Sequence, residues 1–86
     1  MIPHSEIETR MSTLKPGRYQ HFKGNFYELV DIAHHSETLE ELVVYRALYV
    51  SKDFGPDALW VRPRAMFEEM VMHNGIQAPR FRYVGE

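Results

Sequence analysis

The sequence contains no cysteine. That absence excludes disulfide frameworks, thiolate zinc sites and cysteine nucleophiles together. No apolar run approaches the ~18–20 residues that cross a bilayer as a helix, so no membrane association is expected. No secretory leader pattern opens the chain, and a cytoplasmic location is the expectation. Gly17, Gly24, Gly55, Gly75 and Gly85 stand singly, so no glycine-rich phosphate cradle precedes a helix. The nucleophile elbow G-x-S-x-G is missing. An excess of positive charge is missing too. The net charge of −2 argues against non-specific binding to duplex nucleic acid, which runs on phosphate contacts.

What the chain does have is the composition of a folded domain. Hydrophobic residues make up 44% and charged residues 26% of its 86 residues, which fits one globular unit. A domain of this size buries only ~60–65% of the surface its unfolded chain exposes. A dimer interface would supplement such a core, so a second copy is a candidate partner. The charges are clustered. Lys15, Arg18 and Lys23 form one basic segment, Arg62 and Arg64 a second, Arg80 and Arg82 a third, while acids gather at Glu37, Glu40, Glu41, Glu68 and Glu69. A basic face exists only if the fold assembles it.

Residues 1–13 read as an N-terminal extension. Ser5 and Glu8 match a capping box for a short helix, but the apolar content is thin. Met11 is an alternative start. Residues 14–86 read as a single β domain. "GRYQHF" has strand composition and runs into the turn signal Lys23-Gly24-Asn25. In "FYELVDIAHH" the apolar phase flips between Leu29 and Val30, which demands a bulge, a bend or cover on both faces. "LVVYRALYV" is apolar on both faces and rich in β-branched and aromatic residues, so it is read as a central strand. Gly55-Pro56 marks a loop. "LWVR" is a short strand stopped by Pro63, which then opens one helical turn over Pro63–Phe67. A strand around Glu69–His73 leads to Asn74-Gly75, a hairpin signal, with "PRFRYV" as the returning strand, Phe81 and Tyr83 inward. The architecture predicted is all-β: a small SH3-like barrel of five to six strands.

The polar stretch "HHSET" tests catalytic readings. His34 and His35 are adjacent, so in a strand they leave opposite faces and do not share one ion. His21 with His35 across paired strands, and Glu37 as a third ligand, would make a two-histidine, one-carboxylate site, though the spacing does not require it. Ser36 has no visible base and oxyanion donors. Ser36 and Thr38 are better read as turn hydroxyls bonding nearby backbone N–H groups. Tyr45, Trp60 and Arg62 form a different kind of group, in which an aromatic with a neighbouring guanidinium stacks a base, grips an anion or holds a peptide. The competing role for Trp60 is core or interface packing.

The stretch "LKPGRYQHFKGNFYELVDIAHHSETLEELVVYRALY", then "LWVRPRAMF" and "PRFRYV", resembles the DUF1653 family, small bacterial proteins of unknown function. The likeness spans Leu14 to Tyr83. It implies a small barrel-like β fold and no established activity, cofactor or partner. Where the family pattern often has glycine after H-x-E-T, this chain has Leu39. The motif positions that are polar without an evident structural need are His21, His35, Glu37 and Arg62.

Two functions follow. The favoured one is a binding module for a small molecule, peptide or protein, with His21, His35, Glu37, Tyr45, Trp60 and Arg62 as candidate contacts and with neither a catalytic residue nor a cofactor assigned. The alternative is a small metal-dependent or hydrolytic enzyme built on His21, His35 and Glu37. The two separate on whether those three side chains converge in one concave site.

Overall fold

The computed structural model describes residues 14–86. The N-terminal extension, with its capping box and alternative start, lies outside the described residues. The described residues form nine strands in order: β1 (Gly17–His21), β2 (Phe26–His34), β3 (Glu41–Ala47), β4 (Val50–Ser51), β5 (Gly55–Pro56), β6 (Leu59–Pro63), β7 (Met70–His73), β8 (Ile76–Pro79) and β9 (Phe81–Gly85). Among the described residues one short helix, α1 (Arg64–Phe67), separates β6 from β7. The chain is mainly β.

β6, β3, β2, β1 and β9 make one antiparallel sheet in that order. β4–β5 and β7–β8 are separate hairpins. Strict alternation decides which residues face inward. Val43, Tyr45 and Ala47 on β3 are buried, whereas Leu42, Val44 and Arg46 face the other way. The phase flip in β2 is a bulge: the register with β3 shifts between Leu29 and Asp31, so Val30 is the extra residue. Leu29 then faces inward on one side of it and Ile32, opposite Val43, on the other.

The sheet is curled but not closed. β6 and β9 remain its two edges, so the ladders do not form the expected SH3-like barrel. Curling still brings the edges toward each other, since the Arg62 guanidinium of β6 lies 5.7 Å from the Phe81 ring of β9. The opening between them is filled by α1. Its Phe67 is 1% exposed, stacks on Phe81 at 4.2 Å and 6°, and meets Tyr19 and Tyr45 edge-on. Pro63 ends β6 because it has no N–H to extend the ladder, and it enters α1 with φ −52°. Arg64 ties the helix down through Glu41 at 3.0 Å and Glu68 at 2.9 Å.

The C-terminal hairpin differs from the reading in one respect. β7 pairs with β8, not with "RFRYV". Asn74 and Gly75 both take positive φ, 54° and 78°, which is the geometry of a two-residue hairpin turn. After Pro79 the chain changes sheets at Arg80, and β9 pairs with β1 instead. Phe81 is buried as expected, but Tyr83 is 37% exposed at the edge.

Candidate functional site

The two turns flanking β2 decide how the candidate residues are distributed. The β1–β2 turn lies at one end of β2 and the β2–β3 turn at the other, roughly 25–30 Å away along a strand of this length. His21 belongs to the first and His35 with Glu37 to the second. The three do not converge, and no group of three or more metal-ligating side chains forms among the described residues.

His35 has a local task. Its Nδ1 accepts from the backbone N–H groups of Glu37 at 3.1 Å and Thr38 at 3.3 Å, and Thr38 Oγ1 accepts from the Glu40 N–H at 3.2 Å. The His35 N–H donates to the Glu40 carbonyl, and the Leu39 N–H donates to the His35 carbonyl. The polar stretch is thus a tight turn capped by its own side chains, with Leu39 held at φ 64°. Glu37 is exposed.

His21, Tyr45, Trp60 and Arg62 are brought together on the inner face of the sheet. The register puts His21 opposite Phe81, Tyr45 opposite both Leu29 and Trp60, and Arg62 opposite Val43. Tyr45 is core, 5% exposed, with Arg62 Nε donating to its hydroxyl at 3.4 Å. The His21 ring packs edge-on to Phe81 at 4.9 Å and tilts over Phe22 at 4.5 Å. Trp60 is half-buried and meets Phe54 of the β4–β5 hairpin edge-on at 5.3 Å. Its Nε1 is buried with no hydrogen-bond partner among the described residues.

The charges around His21 are the feature the sequence did not show. Burial holds its imidazole below the usual histidine range, and Arg80, Arg62 and Lys23 push in the same direction. Three basic segments far apart in sequence therefore meet at one ring. The Lys23 ammonium and the Arg80 guanidinium each lie 5.8 Å from the Phe22 ring centroid. Arg80 is paired with Glu69 at 2.6 Å, but no carboxylate pairs with Arg62, Lys23 or Arg82 among the described residues. His73 of β7 joins the group, its ring 5.4 Å from the Phe22 ring, and its only signal in the sequence is its place beside the Asn74-Gly75 turn. A cleft of about 290 Å³ is lined by Gln20, His21, Phe22, His73, Ala78, Pro79 and Arg82. A second, of about 360 Å³, lies beyond Pro79 and Arg82 against Phe67, Glu68 and Tyr83.

A family described as "Protein of unknown function (DUF1653)" matches residues 17–83. The chain belongs to the DUF1653 family. The match takes in both β2 turns, the inner-face cluster and most of β9. The crystal structure of another DUF1653 protein, from Bordetella bronchiseptica, is similar at 35% identity with a TM-score of 0.77, over 87% of this chain and 92% of that one. No curated protein matches the chain. No helix among the described residues is long and apolar enough to cross a membrane.

Proposed function

We propose that this DUF1653 domain is a binding module for an anionic ligand or partner, which it contacts through the basic, aromatic end of the sheet. One observation carries the reading. Arg62 is laid inside the curled sheet, against Tyr45 and Phe81, with no carboxylate partner among the described residues. A half-buried guanidinium without a counter-charge is costly to keep, and an incoming anion offsets that cost with charge-assisted hydrogen bonds. Arginine suits the task because its planar fork and ring-stacking hold its direction. The Trp60 ring shares this face opposite Tyr45, with its own N–H buried and unpartnered among the described residues. Of the six candidate contacts, His21, Trp60 and Arg62 fit this role, Tyr45 supports Arg62 from the core, and His35 and Glu37 serve the opposite turn.

The enzyme reading built on His21, His35 and Glu37 lacks the convergence it needs. The binding reading is tested by thermal shift and Trp60 fluorescence against citrate, phosphate and an acidic peptide, at constant ionic strength. An anion at a hundred times its Kd raises stability by about 2.7 kcal/mol. Arg62→Gln removes that gain while circular dichroism still shows the folded β signature. Equal stabilisation of Arg62→Gln and the parent, or none by any anion, rejects the reading.

A further inference from the structure

We infer that the cleft between β1 and the β7–β8 hairpin binds the phosphate group of a small phosphorylated molecule. The inference goes beyond the anion-binding reading above, because the cleft lies beside Arg62 at the same basic end and Arg62 does not line it. The cleft is built from three separated segments, with His21 and Gln20 from β1, His73 from β7 and Arg82 from β9. None of its lining residues is a carboxylate, in a chain whose net charge is −2. Its volume of about 290 Å³ sits at the small end of ligand pockets, which run to ~1,000 Å³, and admits a phosphate with a short substituent.

The donors suit an oxyanion. His21 Nδ1 accepts from the Lys23 N–H at 3.1 Å. The neutral ring therefore carries its proton on Nε2, and His21 offers an N–H without being charged. Asn74 Nδ2 lies 3.3 Å from His73 Nε2, the arrangement in which His73 keeps its proton on Nδ1. Arg82 spends one Nη2 contact on Gln20 Oε1 at 3.0 Å and holds further donors in its fork. Lys23 and Arg80 flank the Phe22 ring beside these groups. Imidazole and guanidinium side chains from β1, β7 and β9 line the one cleft, and their N–H groups suit the several free oxygens of a phosphate.

The test is an NMR titration of the full chain with inorganic phosphate and with glycerol 3-phosphate, against chloride at matched ionic strength. The imidazole signals of His21 and His73 shift, while those of His34 and His35, at the far end of β2, stay put. His73→Ala and Arg82→Gln, both at exposed positions, each weaken binding about tenfold or more. Tighter binding of glycerol 3-phosphate than of phosphate identifies an esterified ligand, and equal binding identifies free phosphate. The inference falls if His21 and His73 do not respond, or if His34 and His35 respond as strongly as they do. It falls alone if anion binding survives His73→Ala and Arg82→Gln but is lost in Arg62→Gln, since the anion-binding reading then stands without this cleft.

Discussion

Leu39 shows how a single residue sits against its own preference. At φ 64° it occupies a region where a side chain costs about 1–2 kcal/mol, and its apolar side chain is 71% exposed. The turn tolerates this because His35 Nδ1 and Thr38 Oγ1 satisfy three backbone N–H groups around it. Leu39→Gly removes the strain but loosens the unfolded chain, which returns part of the gain. The expected net effect is a stabilisation of about 0.5–1 kcal/mol, read as a raised midpoint in urea with an unchanged slope. The sequence showed that this stretch was a polar connection. It did not show that His35 caps the turn, because a histidine's partner depends on the turn's shape, not on the residue's neighbours in sequence.

Two elements depend on one residue each. Gly17 opens β1 with φ 135°, beside the irregularity that shifts the β1–β9 register between Arg18 and Tyr19. A Cβ there would stand 2.8 Å from the Gly85 carbonyl oxygen, a backbone atom that does not yield cheaply. Gly17→Ala is expected to cost about 2–3 kcal/mol and to loosen β9 first, seen as faster amide exchange at Phe81–Gly85 than at β3. The helix α1 hangs on Phe67. Phe67→Ala is expected to cost about 3–5 kcal/mol in chemical denaturation, a loss few domains of this size survive folded at room temperature. The longer strands, the irregularity at Leu29-Val30, the single helical turn after Pro63 and the Asn74-Gly75 hairpin were legible because alternation and turn chemistry are local rules; the break after Ala47 and the short β4–β5 ladder, which puts Gly55-Pro56 in a strand and not in a plain loop, were not. The partner of β9 was not, because "RFRYV" is equally fit to return along β7 or to pair with β1, and only the turn away at Arg80 decides.

At the scale of the whole molecule, the curled sheet separates the charges. The acidic β2–β3 turn and the basic end around His21 sit at opposite ends of β2. The lowered pKa of His21, caused first by burial and then by Arg80, Arg62 and Lys23, makes this arrangement sensitive to pH. The unfolded chain takes up a proton at about pH 6.5, before the folded site does. Stability from this ring is therefore complete above about pH 6.5 and is lost as pH falls through the lower folded value. The melting temperature of the parent is expected to drop more steeply over that window than that of His21→Gln. Parallel curves would show that neither burial nor the cations hold the His21 imidazole below its usual range.

By itself the sequence determined the mainly β pattern, the longer strands, the lack of thiol chemistry and the residues that share each face of β3, because these follow from side-chain alternation and backbone limits within a few residues. Only the tertiary structure decided that the sheet stays open with Phe67 in the gap, that His21 and His35 part company, and that Lys23, Arg62 and Arg80 surround one imidazole. Those outcomes depend on which strands pair and how far the sheet curls. Electrostatic interaction acts through space, and the chain spaces these charges about twenty to forty residues apart.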